Sequence, residues 1–254
     1  MGLLEGRTCV VTGVGPGMGQ ATAKALAREG GRVFLAARSK DYLDQVAAEI
    51  GDPDRAVPFP TDITDRAQCD ALVEAAGTID VLVNSAFKPD VFQPFVRVDL
   101  AEYRSMFEVN VFGTLQMTQA AIPAMKERGG SIVFVNSMVV RKGGNLQTGY
   151  AASKGALMGA ARSLALELGR YKIRVNSVVP GWMLGASVEL YLDFQSQKRG
   201  VKREDILAEL GSQTALGAIP TQEACAEAVV FLASDLSAAM TGQSVDVNGG
   251  EHFH

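Results

Sequence analysis

The stretch TCVVTG (8–13) is a short, β-branched apolar run. It opens directly into VGPGMG (14–19) and then into the helical pattern QATAKALAREG. A strand that turns through four glycines into a helix is a βα unit, and it commits the rest of the chain to finding partners for a parallel strand.

The remaining sequence supplies them. RVFLAAR (32–38) reads as a second strand, followed by the helix SKDYLDQVAAEI with Ser39 at its N-cap. RAVPFP is a weaker third strand, and DITDRAQCDALVEAAG a helix with an Asp-rich entry. IDVLVNSA (79–86) is the fourth strand, a helical stretch covers about 99–127 with Pro123 near its end, and SIVFVNS (131–137) is the fifth. A helix over about 148–170 leads to IRVNSVVP (173–180), a last helix runs from about Gln222 to Ser234, and SVDVNGG (244–250) closes the set. The strands are nearly continuous apolar runs, as they must be when helices cover both faces of a sheet. The expectation is an α/β fold over residues 1–254: one doubly wound domain with a mostly parallel, seven-stranded sheet.

Composition narrows function by exclusion. The formal charge is −4, with no run of Lys or Arg, so a nucleic-acid surface is not expected. No apolar run reaches the length of a membrane span. The opening MGLLEGRTCVV lacks the pattern of a signal peptide and has Gly6 where a myristoylation signal needs Ser or Thr. Cys9, Cys69 and Cys225 are far apart with no Cys-x-x-Cys, which fits a reducing cytoplasm. The two histidines, His252 and His254, stand at the C-terminal end. A histidine zinc site or a mid-chain histidine base is therefore not expected, and no metal is assigned.

At the first βα crossover, glycines let the backbone approach a pyrophosphate while the helix N-terminus offers free N–H groups to it. Gly13, Gly15, Pro16, Gly17, Met18 and Gly19 are thus candidate dinucleotide contacts. The second strand ends in Ala37-Arg38-Ser39-Lys40, without the carboxylate that would grip the 2′-hydroxyl of NAD. A guanidinium beside a hydroxyl suits a 2′-phosphate, so Arg38 and Ser39 favour NADP(H), with NAD(H) the alternative.

YAASK (150–154) places a phenol and an ammonium on one helix face, a weak signal by itself. Its context makes it stronger, because the chain resembles the classical short-chain dehydrogenases/reductases nearly end to end. The family's Thr-Gly-x-x-x-Gly-x-Gly is matched by Thr12, Gly13, Gly17 and Gly19. Its adenine-orienting Asp is matched by Asp62, beside Ile63, and its Asn-Asn-Ala-Gly by Asn84 and Ala86, with Ser85 and Phe87 departing. Asn110, Ser137, Tyr150 and Lys154 match the catalytic set, and Pro180-Gly181, with Met183 nearby, the segment after the sixth strand.

The resemblance implies a Rossmann-type domain in which Tyr150 is the general acid/base and Lys154 lowers its pKa and holds the nicotinamide ribose. Ser137 would orient the substrate oxygen, and Asn110 would hold a relay water. It also implies a homotetramer, or a homodimer, built on the helices near 99–127 and 150–170. Other departures are Met18 for Ile, Pro16 where NADP-preferring members carry a basic residue, and Gly185 where a Thr contacts the pyrophosphate. Phe87 for Gly would narrow or re-aim the nicotinamide pocket.

Residues 182–219 fall where the family keeps its substrate loop. Trp182, Met183, Leu184, Val188, Leu190, Tyr191, Leu192 and Phe194 stand there beside SQKRGVKRED. They read either as an apolar lid with a charged outer face, suited to a fairly apolar small-molecule substrate, or as one amphipathic helix packed on the core. The basic cluster Lys198, Arg199, Lys202 and Arg203 reads as a solvated face rather than an acyl-carrier docking patch. Three functions follow: an oxidoreductase passing a hydride between NADP(H) and a secondary alcohol or ketone, a 3-oxoacyl-thioester reductase, or a dinucleotide-binding regulatory protein without turnover.

Overall fold

The computed structural model describes residues 2–253, with backbone only at 186 and 187; His254 lies outside the described residues. Seven strands, β1 (Thr8–Thr12), β2 (Arg32–Ala37), β3 (Ala56–Pro60), β4 (Val81–Asn84), β5 (Gly130–Val135), β6 (Ile173–Pro180) and β7 (Ser244–Val247), form one sheet in the order β3-β2-β1-β4-β5-β6-β7. Every neighbouring pair is parallel. The strand order reverses between β1 and β4, which opens a crevice at the C-terminal ends of those two strands.

The helices are α1 (Met18–Arg28), α2 (Lys40–Ile50), α3 (Arg66–Ala76), α4 (Leu100–Phe107), α5 (Thr114–Met125), α6 (Val139–Lys142), α7 (Thr148–Leu168), α8 (Ala186–Arg199), α9 (Arg203–Ser212) and α10 (Gln222–Ala233). Alternate residues along each strand feed two cores. Cys9, Val11, Val33, Leu35, Val81, Val83 and Val133 pack under α1, α2 and α10. Val10, Phe34, Leu82, Ile132, Phe134 and Val175 pack under α3, α5 and α7. This two-sided burial is why the strands read as unbroken apolar runs.

Several elements differ from the sequence reading. β4 is shorter than 79–86 because the chain leaves the sheet after Asn84, and β5 and β7 stop at Val135 and Val247. The helical stretch at 99–127 is two α-helices joined by a π turn, Glu108–Gly113, with Pro123 inside the last turns of α5. Ser39 stands at the N-cap of α2, but its hydroxyl makes no capping bond. In the Asp-rich entry to α3 the cap is Asp65, whose carboxylate accepts from the Ala67 and Gln68 N–H groups. Residues 182–219 fold as two helices, α8 and α9, around a small core of their own, Val188, Leu192, Ile206, Leu210 and Ile219.

Asp65→Ala removes acceptors from two otherwise orphaned helix amides. It should lower stability by about 1 kcal/mol, read as a lower denaturant midpoint at unchanged slope.

Candidate active site

The glycine-rich turn is shaped by its neighbours. Gly13 has φ +70°, and a Cβ there would fall 2.4 Å from the Ala86 backbone. A Cβ on Gly19 would fall 2.1 Å from the Gly13 carbonyl. Those two glycines let turn, helix and β4 close on each other. Gly15 and Gly17 are different: a Cβ on Gly15 would meet nothing within 4 Å, and on Gly17 only the Gln222 Oε1 at 4.0 Å. A cradle therefore remains open along the turn. No side chain caps the first amides of α1, and its first turn holds no acid. Open space lined by free N–H groups fits a diphosphate. Met18 is buried, so its contribution there falls to its main chain, and Pro16 is exposed without an N–H.

Arg38 and Ser39 are exposed at the end of β2. Asp62 lies close by, its carboxylate accepting from the Thr64 N–H at 2.9 Å and the Thr64 hydroxyl at 2.7 Å. The Thr64 N–H is the main cause holding the Asp62 carboxyl below its usual range, and the Arg38 charge adds to it. The Ile63 side chain is in the core and its carbonyl accepts from Gln116, so any contact it makes to a nucleotide falls to its main-chain N–H. Asn84 is buried, donates to Thr118 Oγ1 at 3.0 Å, and its Oδ1 finds no partner. Pro180 accepts from the Met138 N–H, and Gly181 donates to the Val247 carbonyl. Met183 packs half-buried on the core of α1 and α10. Gly185 faces the Gln222 amide, which stands where a larger side chain at 185 would go.

Ser137, two residues past β5 and two before α6, accepts from the Val139 N–H and neighbours the Tyr150 phenol. Burial pushes that phenol up to about 12, and the neighbouring Ser137 hydroxyl pulls it partly back. Lys154, one turn further along α7, is buried and donates to the Val135 carbonyl at 2.7 Å. Its Nζ is 5.6 Å from the Tyr150 ring centroid, and burial pulls its pKa down to about 8. The sequence reading made Lys154 the tuner of the phenol. Burial and the neighbouring Ser137 hydroxyl act on the phenol as well.

The Asn110 amide, fully buried in the π turn, is committed on both ends. Its Oδ1 accepts from the Lys88 N–H at 2.6 Å, and its Nδ2 donates to the Lys88 carbonyl and to Ser153 Oγ. Such π turns recur at functional sites.

Sequence reasoning missed Asp90. Its buried carboxylate accepts from the Tyr150 N–H at 2.8 Å and from Val91, fixing the first turn of α7. It also missed Glu251, whose carboxylate pairs with Lys142 and accepts from the Trp182 N–H, tying α6 to the start of the 182–219 segment. Neither lies in a periodic pattern; an acid facing an uncapped helix N-terminus was the available signal for Asp90.

With this geometry in place, comparisons with known proteins give one answer. Residues 13–252 match a family model described as enoyl-(acyl carrier protein) reductase. The chain is 37% identical to the 3-oxoacyl-[acyl-carrier-protein] reductase of Thermotoga maritima over 97% of its own length and 98% of that protein's. It is 34% identical to a sorbitol dehydrogenase of Cereibacter sphaeroides over 97% and 98%. Among solved structures it superposes on a single-residue variant of the actinorhodin polyketide ketoreductase with NADPH at TM-score 0.91 and 29% identity, over all of both chains. A short-chain dehydrogenase/reductase from Brucella melitensis gives 0.90 at 29% identity, again over all of both chains. The chain belongs to the short-chain dehydrogenase/reductase family.

Proposed function

We propose that this oxidoreductase passes a hydride between NADP(H) and a secondary alcohol or ketone of fairly apolar character, with Tyr150 as general acid/base. One observation carries the reading: the Tyr150 phenol has the Ser137 hydroxyl as a neighbour and Lys154 Nζ 5.6 Å from its ring centroid, at the crevice that the open glycine cradle enters. The bound nicotinamide supplies or accepts the hydride, and in its oxidised form adds a positive charge. The chain's residues do the rest. Ser137 donates to the substrate oxygen and orients it, Tyr150 gives or takes the proton at that oxygen, and Lys154 holds the nicotinamide ribose. Asn110 holds the loop at Lys88 against α7.

The NADP(H) preference rests on Arg38 and the uncommitted Ser39 hydroxyl, together with the absence of an acid at the end of β2. The runner-up, a 3-oxoacyl-thioester reductase, has a relative named for that activity in its favour. Half of the basic cluster it would use for docking is already paired: Arg199 with Glu209, and Arg203 with Glu189 and Asp193. We further propose one domain with α8–α9 as its substrate-covering segment. Subunits would meet as a tetramer or dimer through α4, α5 and α7, where Leu100, Phe112 and Leu166 are exposed. The three buried, unpaired cysteines support a cytoplasmic setting, and no helix among the described residues is long and apolar enough to cross a membrane.

Three outcomes test the reading. Tyr150→Phe should cut carbonyl reduction by about 10²-fold or more while NADPH affinity stays within a few-fold, measured by steady-state kinetics and fluorescence titration; near-normal turnover would remove the assigned acid. Arg38→Ala should weaken NADPH binding by about 1–3 kcal/mol and leave NADH unchanged, whereas equal losses would make Arg38 a surface residue. The pH dependence follows from Lys154, charged below about pH 8 and neutral above, while Tyr150 keeps its proton to about 12. Reduction should hold steady below pH 8 and decline with one proton above it. A flat profile to pH 10 would show that the ammonium charge is not required.

A further inference from the structure

Phe87 follows Ala86 at the end of β4, where the family resemblance leads one to expect glycine. Its side chain is 52% exposed, yet its ring lies against the two reactive groups of the site. The Phe87 and Tyr150 centroids are 6.1 Å apart with planes tilted by 59°, and Lys154 Nζ lies 5.8 Å from the Phe87 centroid. Both arrangements are attractive, the second through the negative face of the ring.

The backbone around it is held from three directions. The Gly13 turn closes on the Ala86 backbone, Lys88 exchanges two hydrogen bonds with the Asn110 side chain, and Asp90 accepts from the Tyr150 N–H. The ring is thus part of a fixed loop. One side rests on Tyr150 and Lys154 and the remainder is left in water. Apolar surface exposed beside a reaction centre favours a ligand that covers it with apolar area of its own. A hydroxyl placed there instead gives up water without gaining a partner.

We propose that Phe87 is a specificity-determining residue. Its exposed ring is the wall against which one carbonyl substituent packs, and it selects ketones and secondary alcohols carrying an aryl or bulky apolar group over small or polyhydroxylated ones. The proposal rests on the carbonyl-reductase reading above, and its test has a binding arm that stands without turnover.

Propiophenone and butan-2-one are compared as substrates with NADPH. Calorimetry then follows 1-phenylpropan-1-ol binding to the NADPH-loaded protein, where no reaction can occur. The wild type should favour propiophenone by about tenfold or more in kcat/KM. Phe87→Gly should lose most of that preference and weaken the aryl alcohol's binding, and Phe87→Tyr should keep both. A preference in Phe87→Gly within twofold of wild type overturns the proposal, as does a wild type that favours butan-2-one. If neither ketone is turned over, the reductase reading falls and the binding arm decides. Aryl-alcohol binding that Phe87→Gly weakens upholds the wall; absent binding, or binding equal in both proteins, overturns it.

Discussion

The close approach of the first turn to the end of β4 organises this molecule. A Cβ on Gly13 would sit 2.4 Å from the Ala86 backbone, so only glycine lets the two meet. Thr12 reinforces the contact, its hydroxyl donating to the Val83 carbonyl and accepting from the Ser85 N–H. From that junction the constraint passes along the chain. Lys88 is held by Asn110, Asn110 also bonds Ser153, and Asp90 holds the Tyr150 N–H. The glycine-rich turn and Tyr150 are thereby fixed to one loop. Reacting groups held in register by short backbone bonds are the structural form of orientation catalysis.

The electrostatics of the pair follow from its burial. Raising a phenol from 10 to about 12 corresponds to roughly 3 kcal/mol in favour of its neutral form. The ammonium of Lys154 moves in the opposite sense for the same reason, since its charged form also loses water. Burial thus opposes the ion pair that acid/base chemistry near neutrality would use. The neighbouring Ser137 hydroxyl offsets part of the penalty for the phenolate. Lys154, charged below about pH 8 and 5.6 Å from the ring centroid, favours the phenolate as well.

Much of this was legible in the sequence because the relevant signals are local. Strands buried on both faces announce themselves as apolar runs, the glycine turn lies within one βα unit, and Tyr150 and Lys154 are four residues apart. What stayed hidden depends on contacts between distant segments. Asp90 caps a helix that begins almost sixty residues later, Glu251 reaches back to Lys142 and Trp182, and the π turn leaves no mark in a helical pattern. The segment 182–219 offered a choice between a lid and one amphipathic helix. It is two helices because Gly200, at φ +66°, ends α8, and two carboxylates of α8, Glu189 and Asp193, pair with one arginine beyond the break, Arg203.

Relatives that share about a third of this sequence carry names as different as a sorbitol dehydrogenase and a 3-oxoacyl reductase. The chain shows how one scaffold tolerates that range. Residues tied into the Gly13–Ala86–Asn110–Tyr150 linkage have little freedom, because a change at any of them moves the reacting groups. Phe87, α8 and α9 are attached to that linkage without being part of its bonding. The two helices keep their own core and ion pairs, so their other residues can vary while the hairpin survives. Substrate choice in such a fold can reside in side chains that the rigid frame carries but does not use, and the exposed Phe87 ring beside Tyr150 is the side chain we propose for that role here.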